Sequence, residues 1–133
     1  MRVSEIRVIS LDDSSELRGL VESDADPDET GWFAPFTLWY RFPRWCAPFL
    51  SSRNGDPFLA ALLLPAMRTG DRLELAAPVS AALLDALPEI QAIYAAFDPR
   101  STRVPVEAVA RTELLPTDGS ASRVGLFFSM GVD

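Results

Sequence analysis

Apolar and polar positions alternate loosely from Arg2 to Ser10, where Val3, Ile6, Val8 and Ile9 are apolar, and this predicts a first strand. Residues 12–30 break the pattern, because Asp12, Asp13, Glu16, Glu22, Asp24, Asp26, Asp28 and Glu29 stand against a single Arg18. Low hydrophobicity and self-repulsion predict a solvated acidic loop there, with a short helical turn at Ser15 to Val21. Alternation returns from Gly31 to Phe42: Phe36, Leu38, Tyr40 and Phe42 interleave with Thr37, Trp39 and Arg41. Period-two spacing of β-forming residues predicts a strand with Trp39 and Tyr40 on opposite faces. Pro43 should end it, since proline cannot donate to a ladder, and Pro43 to Gly55 reads as a connecting loop.

The period then changes. Asp56-Pro57 pairs an N-cap acceptor with proline at the first helical position. The helix it opens runs through Phe58, Leu59, Leu62, Leu63 and Met67 and closes at Gly70, with Pro65 expected to kink or shorten it. Arg72 to Ala76 predicts a short strand. Ser80 caps a second helix on which Leu83, Leu84, Leu87, Ile90, Tyr94 and Phe97 follow helical spacing. Pro88 should split that helix, and Asp98-Pro99 should end it. A strand is expected from Arg103 to Arg111, a flexible link from Pro116 to Ser122, and a last strand from Arg123 to Phe128. The order β-β-α-β-α-β-β, without internal repeats, predicts an α+β or α/β domain with one mixed sheet of about five strands and two main helices. In domain terms, residues 1–11 form the first strand, 12–30 the acidic loop, 31–122 the core and 123–133 the last strand and tail, one domain in all.

Composition narrows the chemistry. With 133 residues, 48% of them hydrophobic, the chain can build one core. The absence of histidine removes Ser-His-Asp and Cys-His nucleophile activation and the common zinc sites. A single cysteine, Cys46, excludes an internal disulfide and has no histidine or lysine beside it in the chain. A net charge of −7 argues against nucleic acid or an anionic membrane as partner. No apolar run is long enough to span a bilayer, and the N-terminus lacks a signal-peptide core, so a cytoplasmic location is expected.

Asp24 to Asp28 places alternate carboxylates as a calcium loop would, but Glu29 and Pro35 stand where that motif needs Gly and Glu; no metal site is expected. The aromatic segment 32–49 offers a surface for a ligand or partner, with Trp39 and Trp45 its best exposed candidates. Arg41, Arg44 and Arg53 flank it and could clamp a carboxylate or phosphate. Asp98, Arg100 and Arg103 could line a cleft that nothing further specifies.

The last residues carry a family resemblance. Phe127-Phe-Ser-Met-Gly-Val-Asp133, following an apolar strand, resembles the opening of the PP-loop of ATP pyrophosphatases, with Met130 where that family has glycine. The stretch Ala61 to Leu75, followed by Pro78-Val-Ser80 and a helix reaching Gln91, is similar to a domain lying directly upstream of that loop in uncharacterised PP-loop proteins. The likeness covers roughly residues 36–133. It implies an accessory domain that positions substrate or a partner beside an adenylating domain, without catalysis of its own. Ser129, Gly131 and Asp133 are the nucleotide-binding residues it implies; ATP and magnesium would enter only with a complete PP-loop domain, and this chain alone needs no cofactor. The end at Asp133 is expected to mark a domain boundary. The implied partner is that downstream domain or a second chain, and an open edge on the last strand invites a homodimer. Two other readings stay open: a stand-alone interaction module using the aromatic 32–49 segment, with Trp39, Arg41, Arg44 and Trp45 as its surface, and an ATP-binding enzyme that completes its site with a second chain.

Overall fold

The computed structural model describes residues 1–23 and 35–112. Its strands are β1 (Arg2–Ser10), β2 (Ser14–Glu22), β3 (Phe36–Pro43), β4 (Leu73–Leu75), β5 (Val79–Ser80), β6 (Val106–Glu107) and β7 (Ala110–Arg111). Its helices are α1 (Asp56–Thr69) and α2 (Ala81–Phe97), preceded by a 3-10 helix over Arg44–Phe49. Five strands form a mixed sheet in the order β3-β2-β1-β4-β6, and β5 and β7 form a separate parallel pair. The architecture is α+β with two main helices, as the periodicities predict.

The acidic loop expected over residues 12–30 is corrected by β2, which pairs antiparallel with both β1 and β3. The reason lies in its alternation. Ser15, Leu17, Gly19 and Val21 point to the helix side and are buried, while the charges that suggested a loop, Glu16, Arg18 and Glu22, occupy the other face. Charge density over a long window hid a strand with one apolar side.

β1 owes its loose alternation to a bulge. Ser4 pairs with Leu20 and Arg7 with Arg18, so three steps on β1 span two on β2. The extra residue, Glu5, has φ 49°, in the left-handed region. Without it, Arg7 would share the inward face of Val3; with it, Ile6 packs against the core and Arg7 turns outward.

Helix α1 carries the core. Phe58, Leu59, Leu62, Leu63, Ala66 and Met67 are buried against Val3, Leu17, Val21, Leu73 and Leu75 of the sheet. Pro65 does not shorten it, and Gly70, at φ 76°, supplies the left-handed C-cap with its N–H bonded to Ala66. Gly55 rather than Asp56 is the N-cap. The Asp56 carboxylate turns away from its own helix to accept the Ser80 N–H at 2.7 Å and an Arg111 guanidinium N–H at 3.0 Å. Those two bonds tie the start of α1 to the β5–β7 pair.

Helix α2 is continuous through Pro88, against the expected split. Pro88 lies on the solvent side, where water can replace the one donor it lacks. The expected strand from Arg103 to Arg111 divides, because Val106 and Glu107 pair with β4 whereas Ala110 and Arg111 pair with β5. Just ahead of β6, Gln91 of α2 both donates to and accepts from the Val104 backbone, at 3.2 and 2.8 Å. The expected last strand, Arg123 to Phe128, lies outside the described residues.

Candidate interaction surface

Strand β3 separates its two faces strictly. Phe36, Leu38, Tyr40 and Phe42 pack toward the core, and Tyr40 donates its hydroxyl to the Pro57 carbonyl at 2.7 Å while its ring meets Phe58 edge-on at 5.7 Å. Burial raises the Tyr40 pKa, so the phenol stays neutral. Thr37, Trp39 and Arg41 point the other way, Trp39 at 50% exposure. The Arg41 guanidinium lies 5.1 Å from the Trp39 ring centroid. Trp45, on the 3-10 helix, is 74% exposed, and Phe49 at its end is exposed as well.

The sequence-predicted surface residues therefore divide. Trp39 and Arg41 are brought together. Arg41 is also committed to Glu16, donating from Nε at 2.8 Å. Arg44 instead ties the β1–β2 turn, donating to the Asp12 carbonyl at 2.9 Å. Trp45 stands clear on the 3-10 helix. Ser129, Gly131 and Asp133, and the acidic Asp24 to Asp28 segment, lie outside the described residues.

The role of Glu16 on this surface has no simple signal in the sequence. Glu16 is 1% exposed on the outward face of β2, shielded by the guanidiniums of Arg18 and Arg41 rather than by the core. Their hydrogen bonds, first from Arg41 and then from Arg18, hold its carboxyl below the ordinary glutamate value, against the opposing effect of burial. A depressed folded-state pKa gives stability that is complete above the unfolded value of 4.5 and is lost as pH falls from there through the folded value. Glu16→Gln should therefore melt lower than the parent at neutral pH, with the gap closing as pH is lowered below the ordinary glutamate range. Melting temperatures of both proteins between neutral and strongly acid pH check this; a gap independent of pH would refute it.

A second apolar patch lies on α2. The helical spacing suggests a buried stripe, yet only Leu87 and Gln91 are buried, and Ile93, Tyr94 and Phe97 are exposed, Phe97 by 85%. Asp98, the C-cap of α2, is held down to about 2 by hydrogen bonds from Arg100 and by nearby Arg68. It serves the helix end, where a carboxylate needs such cations to offset the dipole.

A cleft of about 490 Å³ opens at the sheet end among Met1, Arg2, Glu22, Asp71, Arg72 and Glu74. Several of its charges face one another: the terminal ammonium lies 3.9 Å from the Asp71 carboxylate and Arg72 pairs with Glu74 at 3.5 Å. Among the described residues, no group of three His, Cys, Asp or Glu side chains could hold a metal ion. No helix among them is long and apolar enough to cross a membrane. No protein family, curated protein or solved structure matches the chain.

Proposed function

We propose that this chain is a non-catalytic interaction domain that engages a protein partner through the outward face of β3 and the 3-10 helix that follows it. The observation that carries this reading is the exposure of Trp39 and Trp45 on one short segment, where Phe36, Tyr40 and Phe42 are committed to the core. Large aromatic side chains left in water cost free energy that a partner recovers, and tryptophan dominates interface energetics. Arg41, stacked on Trp39 and bonded to Glu16, holds that ring in a fixed place, so less freedom is lost on binding.

The test is selection of a displayed peptide library on the folded chain. Enriched peptides should lose at least about tenfold in affinity on Trp39→Ala or Trp45→Ala, the size expected of a hot-spot aromatic. Both variants should keep the parent melting temperature to within a few degrees, since neither ring supports the core. Failure to enrich any peptide, or indifference of the peptides to both substitutions, would remove this reading. The PP-loop resemblance of Phe127 to Asp133 favours a particular partner, an adenylating domain beside which this one positions substrate. In that case the same two tryptophans are the residues that domain covers.

A further inference from the structure

Arg7 and Arg18 are direct cross-strand partners on the outward face of the β1–β2 pair. Like charges placed opposite each other weaken a sheet. The arrangement arises from the bulge, which holds non-glycine Glu5 in the left-handed region and thereby turns Arg7 outward. Two unfavourable local features thus converge on one result, a pair of guanidiniums side by side. Strain of this kind clusters where a site requires it.

The pair lines a depression of about 170 Å³ with Glu5, Ile9, Leu20 and Thr37. Trp39 stands opposite Arg18 on the next strand, which adds an aromatic face to the same row. Arg7 is 65% and Arg18 40% exposed, so both keep donors in reach of solvent. Glu5 pairs with Arg7, and Glu16 is shared by Arg18 and Arg41. Three arginines against two glutamates leave this cluster with one net positive charge in a chain of net charge −7.

We infer that the depression over Arg7 and Arg18 receives carboxylate side chains from an extended acidic segment of the protein partner, whose apolar residues rest on Ile9, Leu20 and Trp39. This inference rests on the interaction reading above and names the chemistry of its partner. A guanidinium fork fits a carboxylate bidentately, and both arginines already hold carboxylates of their own chain. An incoming glutamate exchanges with Glu5 at Arg7 and bridges to Arg18, which removes the like-charge repulsion. A phosphate dianion is the poorer fit, because Glu5 and Glu16 repel its second charge.

The probes are short synthetic peptides alternating Glu with Tyr and, as control, Gln with Tyr, titrated into isotope-labelled full chain and followed by NMR. The Glu–Tyr peptide should shift the amides of Arg7, Arg18 and Thr37 and the Trp39 indole N–H, and bind at least about tenfold more tightly than the control. Added salt should erase that advantage. Arg7→Gln, on an exposed side chain, should abolish the preference without lowering the melting temperature, and Arg7→Lys should restore part of it. Equal affinity of the two peptides, with Trp39 still shifting, would overturn the acidic specificity while leaving the interaction reading intact. Shifts confined to other surfaces, or none, would overturn the inference, and the library selection then decides the interaction reading separately.

Discussion

Phe58→Ala should lower the unfolding free energy by about 3–5 kcal/mol, the usual cost of removing a fully buried phenylalanine. Phe58 has no exposed surface and joins three elements: its own helix α1, Tyr40 of β3 at a 5.7 Å ring separation, and Gly19 of β2. The contact with Gly19 makes the prediction sharper than a cavity argument alone. A Cβ built on Gly19 would lie 2.8 Å from the Phe58 ring, so β2 approaches α1 as closely as it does only because position 19 lacks a side chain. Gly19→Ala should cost about 1–3 kcal/mol by overpacking. In the double variant the ring is gone and the methyl group has room, so the two costs should fall short of adding. Urea unfolding of the parent, both single variants and the double variant measures this directly; additivity within about 0.5 kcal/mol would mean the contact is not energetically shared.

Gly55→Ala is expected to be comparably severe for its size, about 3 kcal/mol, at the upper end of overpacking costs. The added methyl carbon would meet the Ala77 carbonyl at 2.8 Å and the Pro78 carbonyl at 3.0 Å, which are backbone atoms with no rotamer to change. Gly55 donates its own N–H to that same Pro78 carbonyl at 2.8 Å, so moving the chain apart also breaks this bond. The Asp56 acceptance from Ser80 sits one residue away and would be strained with it. The check is a urea midpoint together with hydrogen exchange at Ser80, whose amide should lose protection in the variant. An alanine variant as stable as the parent would show that α1 can pivot away from β5 without penalty.

Much of the fold is legible along the chain, and the failures have common physical causes. β3 reads correctly because its two faces differ at every step, from Phe36 to Phe42, and α1 because Pro57 and Gly70 bracket an apolar run. β2 is missed because Gly19 carries no hydrophobic signal, although its missing side chain is what admits Phe58. The bulge at Glu5 is invisible for a related reason: an inserted residue looks like imperfect alternation until the partner strand supplies the register. Helix α2 shows the opposite error, where an apolar stripe at helical spacing exceeds what this sheet can cover, and Ile93 and Phe97 are left in solvent.

The surface followed the same division. The exposure of Trp39 follows from its parity with Tyr40, and the exposure of Trp45 agrees with its place beyond the strand-ending Pro43. Arg41 and Arg44 carry the same charge and stand three positions apart, yet one steadies a tryptophan over a carboxylate and the other ties a turn. Local sequence determined which segments are strands or helices wherever a period of two or 3.6 was clean, and which residues could bear charge or aromatic surface. Only the tertiary structure decided which charges meet. Arg7, Arg18, Glu16 and Arg41 come from three strands, and their order across the sheet is fixed by pairing register and one inserted residue, quantities that belong to pairs of strands rather than to any one of them.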